Sequence, residues 1–150
     1  MRARYPDHEG YVDRDGVDIF YEVYDNAGPT VVLVPTTIWN SRQWKAQIHY
    51  LARHFRVVAF EGRGNGRSGK PTAEAEYANA KLVGDVVAVM DRTGADQAIL
   101  MSLCHAVPWM LDIAARQPER ASALVAVAPA VEHVAHLNRA ILDFVDRVVA

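Results

Sequence analysis

Short apolar runs alternate along this chain with segments in which apolar residues recur every three or four positions. The runs suit buried strands and cover residues 30–34, 55–60, 98–101 and 122–128. Helical spacing follows each run, over residues 41–54, 75–93, 107–117 and 131–150. This succession is typical of an α/β fold with a mostly parallel sheet that is flanked by helices.

Before the first of these strands, residues 10–24 alternate between apolar and polar side chains. Asp15-Gly16 divides this segment, and Asp-Gly is a strong turn signal between paired strands. We therefore predict an N-terminal antiparallel hairpin. Among the helical segments, Ser41 is the expected N-cap of the first, and Gly94 is expected to end the second.

One junction between a strand and a helix carries the residues with the clearest chemistry. The apolar run 98–101 ends in Ser102-Leu103-Cys104-His105-Ala106, and helical spacing resumes at once. Small residues two positions before and after a nucleophile suit a sharp, strained turn, because larger side chains would collide with the neighbouring elements. The pattern predicts that Cys104 is lifted above the C-terminal edge of the sheet. The alternative is a small buried apolar residue, which free cysteines often are.

A cysteine on such a turn is placed to attack a carbonyl group. Amide groups at the start of a helix stabilise the thiolate, which is the nucleophilic form of cysteine. The N–H of His105 is expected to bind the oxyanion that develops during the attack. We expect the His105 side chain to point along the helix, away from the sulfur, and to line the pocket or serve packing.

A glycine-rich loop after residue 60 invites a different interpretation. Gly64, Gly66 and Gly69 match a dinucleotide-binding spacing, and Gly64 with Gly69-Lys70 matches most of a P-loop. Both motifs need a helix that begins at the last glycine, so that phosphate meets its N-terminus. Pro71 stands where a P-loop carries a hydroxyl for magnesium, and helical spacing resumes only several residues later. Nucleotide binding is therefore disfavoured.

Composition narrows the classes of protein further. The 150 residues are 51% hydrophobic and carry a net charge of −2, which gives no electrostatic basis for binding nucleic acid or an anionic membrane. Cys104 is the single cysteine, so no internal disulfide is expected, and a reducing compartment is the simplest interpretation. The first ten residues lack a signal-peptide pattern, and no apolar run is long enough to cross a bilayer. These features predict a soluble cytoplasmic protein.

Taken together, the motifs resemble the N-terminal half of an α/β-hydrolase. Residues 61–68, EGRGNGRS, are similar to the D-x-R-G-x-G-x-S loop after the fourth strand of this family. Residues 102–106 stand at the family's nucleophile turn, and residues 114–120, AARQPER, resemble the usual end of the next helix. The resemblance implies that residues 1–150 are the N-terminal portion of one α/β-hydrolase domain. Its core would span residues 10–130, and the cap region would begin at 131–150.

The chain departs from the family pattern at its site. Cysteine replaces the usual nucleophilic serine, as in the dienelactone hydrolases of this family. Pro35-Thr36 replaces the family's His-Gly motif, and Thr37 takes the position whose N–H completes the oxyanion hole. The resemblance thus implies an oxyanion hole formed by the N–H groups of Thr37 and His105. Thr36 and Trp39 belong to the loop that would wall the substrate pocket.

The family's general base and acid have no clear counterparts within these 150 residues. In the family they follow later strands, so both are expected beyond residue 150. Glu132 is a weak candidate for the acid, although an ordinary helix-start role is the simpler interpretation. His133 and His136 share a predicted helix face, but the spacing is not that of a zinc site. Neither a metal nor a cofactor is expected.

The resemblance implies hydrolysis or acyl transfer on an ester, thioester or lactone, with a small-molecule acyl substrate. The alternative is a catalytically weak relative that senses a ligand or binds a partner protein, which the altered turn and the missing His-Gly motif favour. A half-sheet with an exposed parallel edge also predicts association, either as a homo-oligomer or with the remainder of a longer chain.

Overall fold

Strands and helices alternate in the structure much as the apolar pattern predicts. The computed structural model describes residues 4–127. Its strands are β1 (His8–Arg14), β2 (Val17–Tyr24), β3 (Thr30–Val34), β4 (Arg56–Phe60), β5 (Ala98–Leu103) and β6 (Ala121–Val127). Its α-helices are α1 (Lys45–Leu51), α2 (Asn79–Arg92) and α3 (Val107–Arg116). Glu132, His133 and His136, singled out in the sequence, lie outside the described residues.

The six strands form one sheet in the order β1-β2-β4-β3-β5-β6. β1 and β2 form the predicted hairpin, whose turn places Asp15 and Gly16 at φ +57° and +82°. β2 pairs antiparallel with β4, whereas β4, β3, β5 and β6 are parallel to one another. The predicted class, a mostly parallel sheet with helices on its faces and an antiparallel hairpin, is confirmed.

Alternate side chains of β3 enter two different apolar cores. Val31 and Leu33 pack with Trp44 and Ile48 on the face covered by α1. Val32 and Val34 belong to the core formed with α2 and α3. That core contains the predicted helix residues Leu82, Val86, Val89, Met90, Trp109, Met110, Ile113 and Ala114. Because each large buried side chain contributes about 1.5–3 kcal/mol, helices on both faces hold the sheet and fix the loops at its edge.

Two helix starts differ from the prediction. A 3-10 helix, Ser41–Trp44, precedes α1, and its N-cap is Asn40, whose side chain accepts a hydrogen bond from the Arg42 N–H at 3.0 Å. Ser41 is not the N-cap because its hydroxyl and N–H are both bonded to buried Glu61. The second helical segment is also divided, since the 3-10 helix Glu74–Tyr77 is separated from α2 by Ala78 in an extended conformation. Gly94 ends this segment at φ +67°, as predicted.

Among residues 4–127, β6 is the last strand on its side of the sheet. Val125 and Val127 are 40% and 41% exposed there, which is unusual for an apolar parallel strand. That further protein surface covers this strand stays a prediction. Within residues 4–127, no helix is long and apolar enough to span a membrane.

Candidate active site

The pairing of β3 with β5 brings two loops to one edge of the sheet. The strands are parallel, and Val34 at the end of β3 pairs with Ser102 near the end of β5. The segment 35–40 and the turn at Cys104 therefore leave the sheet side by side. Carboxyl ends of neighbouring parallel strands are where α/β proteins usually place their ligand sites.

The predicted strained turn is present after β5. Leu103 is extended at φ −134°, and Cys104 follows in the left-handed region at φ +55°. Ser102 and Ala106, the small residues on either side, are both fully buried. Their small size therefore permits the turn, since a larger side chain at either position would enter the packed core.

The turn leaves Cys104 at the surface of the sheet edge. A short 3-10 turn, Cys104–Ala106, joins β5 to α3, and Pro108 supports the start of α3. Cys104 is partly exposed, so it is not a deeply packed apolar residue. The backbone thus presents the sulfur as a nucleophile turn requires.

The side chain of His105 lies against the sulfur, which corrects the expectation that it points away along the helix. Its Nδ1 is 3.2 Å from Sγ of Cys104. Its Nε2 is 2.7 Å from Oγ1 of Thr37 in the neighbouring loop. A local sequence pattern cannot reveal this orientation, because the hydrogen bond that holds the ring joins residues 68 positions apart.

The Thr37 loop is supported in turn by the loop that follows β4. Nδ2 of Asn65 donates to the backbone oxygen of Thr37 at 2.8 Å. Sequence reasoning missed Asn65, whose only signal was its place between two glycines of the R-G-x-G motif. The predicted oxyanion-hole roles of the Thr37 and His105 N–H groups stay predictions.

Two other residues of the segment 35–40 were expected to line a pocket. Thr36 is buried, and its hydroxyl is 3.5 Å from Oε1 of Gln43. Trp39 is 55% exposed on the same loop. A large exposed aromatic residue beside a reactive turn is suited to bind an apolar substrate group. The roles of Thr36 and Trp39 in substrate binding also stay predictions.

The glycine-rich loop is organised around the buried carboxylate of Glu61. This carboxylate accepts hydrogen bonds from Ser41 and from the Arg67 N–H. Ser68 donates its hydroxyl to the Glu61 backbone oxygen and accepts from Phe20 N at 2.9 Å. Gly66 has φ +49°, and a Cβ there would collide with the Glu61 carboxylate. Glycine is therefore required at residue 66 both by the backbone and by the space available.

Arg63 connects the same loop to α2. It is fully buried, and it makes two 2.7 Å hydrogen bonds to Asp85 and another to Glu76. The hydrogen bonds to Asp85 raise the pKa of the Arg63 guanidinium above its ordinary value, so the group stays charged. No helix begins at Gly69, and the next helical turn starts at Glu74. The glycines thus shape a structural loop, and the helix start that a phosphate site needs is missing here.

Other binding features lie elsewhere among the described residues. A groove of about 580 Å³ runs between α2 and α3, and none of the predicted site residues lines it. Within residues 4–127, no three histidine, cysteine, aspartate or glutamate side chains are grouped to hold a metal ion. The chemistry available at the sheet edge is therefore that of a thiol, an imidazole, a hydroxyl and backbone amides.

Comparisons with known proteins point to one family. Residues 29–149 match the sequence profile of the α/β hydrolase fold. Epoxide hydrolase B of Mycobacterium tuberculosis is 37% identical over 105 residues, which cover 69% of this chain and 30% of that protein.

Solved structures agree. The enol-lactonase from Burkholderia xenovorans LB400 has a TM-score of 0.70 and 26% identity, over 77% of this chain and 45% of its own. An epoxide hydrolase from Vigna radiata has a TM-score of 0.73 and 27% identity, over 79% of this chain and 39% of its own. The chain spans less than half the length of each of these three proteins. The matched profile covers most of the chain, which therefore belongs to the α/β hydrolase fold family.

Proposed function

We propose that this chain supplies the nucleophile of a hydrolase or acyltransferase that acts on an ester, thioester or lactone, and that Cys104 is this nucleophile. The observation that carries the proposal is the left-handed backbone of Cys104, at φ +55°, on the partly exposed turn between β5 and α3. Backbone strain at a residue other than glycine persists only where the surrounding structure imposes it, and it concentrates at active sites.

The reaction follows from the position of the thiol. The Cys104 thiolate attacks the carbonyl carbon, and the electron pair of the C=O bond moves to the oxygen, where the N–H groups of Thr37 and His105 would hold it. Collapse of this intermediate expels the alcohol or thiol and leaves a thioester on Cys104. Water or another acceptor then releases the acyl group. A histidine and an acid beyond residue 150 are expected to activate the thiol, and the same pair would activate the water in this second step.

The nature of the nucleophile favours acyl substrates over epoxides. The relatives named above include epoxide hydrolases and an enol-lactonase, so membership of the family does not decide between them. A thiolate that opens an epoxide forms a thioether, whose C–S bond water does not cleave, so the enzyme would stop after one turnover. A thiolate that attacks an ester or lactone forms a thioester, which water does cleave.

The test compares Cys104→Ser and Cys104→Ala with the unaltered whole protein on a panel of small esters, thioesters and lactones. We expect Cys104→Ala to lose nearly all hydrolysis, and Cys104→Ser to react more slowly and through an oxygen ester. Intact-mass measurement after rapid quenching should show the acyl adduct on the unaltered protein and none on Cys104→Ala. Full activity in a folded Cys104→Ala variant would contradict the proposal.

A second candidate is a catalytically weak relative that senses a ligand or binds a partner. It is favoured by one observation: among residues 4–127, no carboxylate contacts the imidazole of His105, so the described site has no acid of the usual kind.

An activated thioester probe separates the two candidates. Rapid, selective acylation of Cys104 supports the enzyme, whereas an inert thiol in the folded whole protein supports the sensor. A reducing compartment, such as the cytoplasm, would keep the thiol free in either case.

A further inference from the structure

We propose that the imidazole of His105 is the base that takes the proton from Cys104, and that Thr37 positions this imidazole. The acylation step would then be driven by side chains of this chain, without the histidine expected beyond residue 150. This role of His105 rests on the proposed function, because it specifies how the proposed nucleophile is activated.

The three side chains form a continuous hydrogen-bonded line. Sγ of Cys104 and Nδ1 of His105 are 3.2 Å apart, and Nε2 of the same ring is 2.7 Å from Oγ1 of Thr37. A nucleophile, a base in hydrogen-bond contact with it, and a third group that orients the base are the parts that activated nucleophiles share. Here the base is the residue next to the nucleophile in sequence, and the orienting group comes from the loop after β3.

A hydrogen bond accepted by Thr37 would select the imidazole tautomer that this proton transfer needs. When Oγ1 accepts the hydrogen bond, the ring carries its proton on Nε2 and leaves the lone pair of Nδ1 facing the sulfur. This tautomer is the one that can receive the thiol proton. Once Nδ1 is protonated, both nitrogens donate, so Oγ1 still has a partner and the thiolate gains one.

The position of Thr37 does not depend on the ring alone. Its backbone oxygen accepts a 2.8 Å hydrogen bond from Nδ2 of Asn65, which ties its loop to the loop that follows β4. That second loop is held by the buried contacts of Glu61 and Arg63. The backbone that carries the Thr37 hydroxyl is therefore tied to a loop with buried polar contacts.

Within residues 4–127, no charged side chain makes a polar contact with the Cys104 thiol or the His105 imidazole. In that part of the chain, no aspartate, glutamate, lysine or arginine is hydrogen-bonded or ion-paired to the Cys104 sulfur or to the His105 ring. Glu61 is directed to Ser41 and Arg67, and Arg63 is directed to Asp85 and Glu76. Among the described residues, the groups in hydrogen-bond contact with the thiol–imidazole pair thus reduce to Thr37.

The proposed step conserves protons and electrons. The thiol proton moves to Nδ1 of His105, and the thiolate forms the C–S bond while the carbonyl electron pair moves to the oxygen. When the intermediate collapses, the bond to the leaving oxygen breaks, and the Nδ1 proton passes to that oxygen. The products are a thioester on Cys104, a free alcohol and a neutral imidazole.

The experiment measures the rate at which iodoacetamide alkylates Cys104 of the whole protein as a function of pH. The peptide that contains Cys104 is quantified by mass spectrometry, so that other thiols do not contribute. The pH at half-maximal rate is the readout, because a less basic thiolate is also less nucleophilic, and rates at one pH are ambiguous. A packing role of His105 would be largely kept by His105→Gln, which fills similar space, so a midpoint that moves in both variants reports loss of the base.

Paired variants separate the roles of ring and hydroxyl. We expect His105→Ala and His105→Gln to move the midpoint upward. Thr37→Val should move it in the same direction by less, and Thr37→Ser, which keeps a hydroxyl, should restore it. His49→Ala, which changes an exposed histidine on α1, should leave it unchanged. With a p-nitrophenyl ester, His105→Ala should also slow the burst of nitrophenol by roughly 100-fold.

The outcomes distinguish this inference from the function on which it rests. If His105→Ala and His105→Gln are folded by circular dichroism and titrate like the unaltered protein, His105 is not the base. The nucleophile then stands, provided that Cys104→Ala is inactive. If the midpoint shifts as expected but Cys104→Ala hydrolyses esters at the full rate, the proton-sharing pair stands and the proposed nucleophile falls.

Discussion

The loop after β4 and the turn after β5 reach the same edge of the sheet, but the first has many buried polar contacts and the second has few. The loop after β4 is fixed by buried polar contacts, because Glu61, Arg63 and Ser68 all have hydrogen-bond partners inside the protein. The turn after β5 has a partly exposed cysteine at φ +55° and an exposed histidine whose ring contacts Cys104 and Thr37.

This difference shows how a strained residue is kept in place. A left-handed conformation at a residue other than glycine costs about 1–2 kcal/mol, which the strand and helix on either side must offset. The loop after β4 supplies rigidity through charge pairs, and Asn65 extends that rigidity to Thr37. If this comparison is right, removing a buried polar contact should be costly in the loop after β4, whereas relieving the strained backbone should stabilise the turn after β5.

Arg63→Met should have the largest effect on stability. Within residues 4–127, it leaves the buried Asp85 carboxylate with the more distant Arg14 as its one cationic partner, whose Nε is 3.7 Å away. Breaking one partner of a buried ion pair typically costs about 3–5 kcal/mol, which urea unfolding monitored by circular dichroism would measure. Arg116→Met, which breaks the exposed pair with Asp112, is the control and should cost less than about 0.5 kcal/mol. Similar costs for the two variants would contradict a rigid, charge-fixed loop.

Gly66→Ala should come next, at about 2–3 kcal/mol. Alanine would have to adopt φ +49°, and its Cβ would displace the Glu61 carboxylate that accepts from Ser41 and Arg67. Gly16→Ala is a matched control, since Gly16 also has positive φ but no atom lies within 4 Å of its missing Cβ. That control isolates the backbone cost, about 1 kcal/mol. Equal losses in thermal unfolding would mean that contact with Glu61 contributes nothing.

The same two regions also show how much of the structure could be predicted from the sequence. The similarity of residues 61–68 to a family loop predicted the loop itself. The alternating segment before residue 24 predicted β2, and the apolar runs predicted β3 to β6 to within two residues at each end. The small residues Ser102 and Ala106 predicted the turn, because a local steric requirement leaves a local pattern. The hairpin followed from Asp15-Gly16 for the same reason.

What could not be predicted depends on contacts between distant segments. Ser41 is a good N-cap by residue type, but Glu61, twenty residues later, engages it, and Asn40 takes the cap. The imidazole of His105 turns to the sulfur because Thr37 lies beside it in space. Helical periodicity describes which face a side chain occupies, and it carries no information about partners on another loop.

Cys104→Gly tests the other side of the comparison, with a smaller effect of opposite sign. Compared with Cys104→Ala, we expect Cys104→Gly to be more stable by about 1 kcal/mol, because glycine adopts φ +55° without strain. Ala88→Gly in α2 is the control and should lower stability by about 1 kcal/mol. Unfolding free energies from urea titrations decide the sign. A Cys104→Gly variant that is less stable than Cys104→Ala would show that the turn is unstrained.

Trp39→Ala should have the smallest effect on stability, within about 0.5 kcal/mol, because the side chain is 55% exposed. Its effect should instead fall on substrate binding. If the indole contacts an apolar group of the substrate, its removal raises KM and leaves kcat nearly unchanged, since such a contact is equal in ground and transition states.

The matched control for Trp39 is Tyr50→Ala, which removes an aromatic residue of 60% exposure from α1. Tyr50 is tilted against His54, 5.6 Å away between ring centroids, and neither residue follows a parallel strand at the reactive edge. KM should therefore stay constant in Tyr50→Ala while it rises about tenfold in Trp39→Ala. An equal change in the two variants would assign the effect to general loss of surface aromatic area. A loss of stability in Trp39→Ala would instead mean that the indole helps to hold the segment 35–40 in place. That segment would then resemble the fixed loop after β4 more than the sparsely held turn after β5.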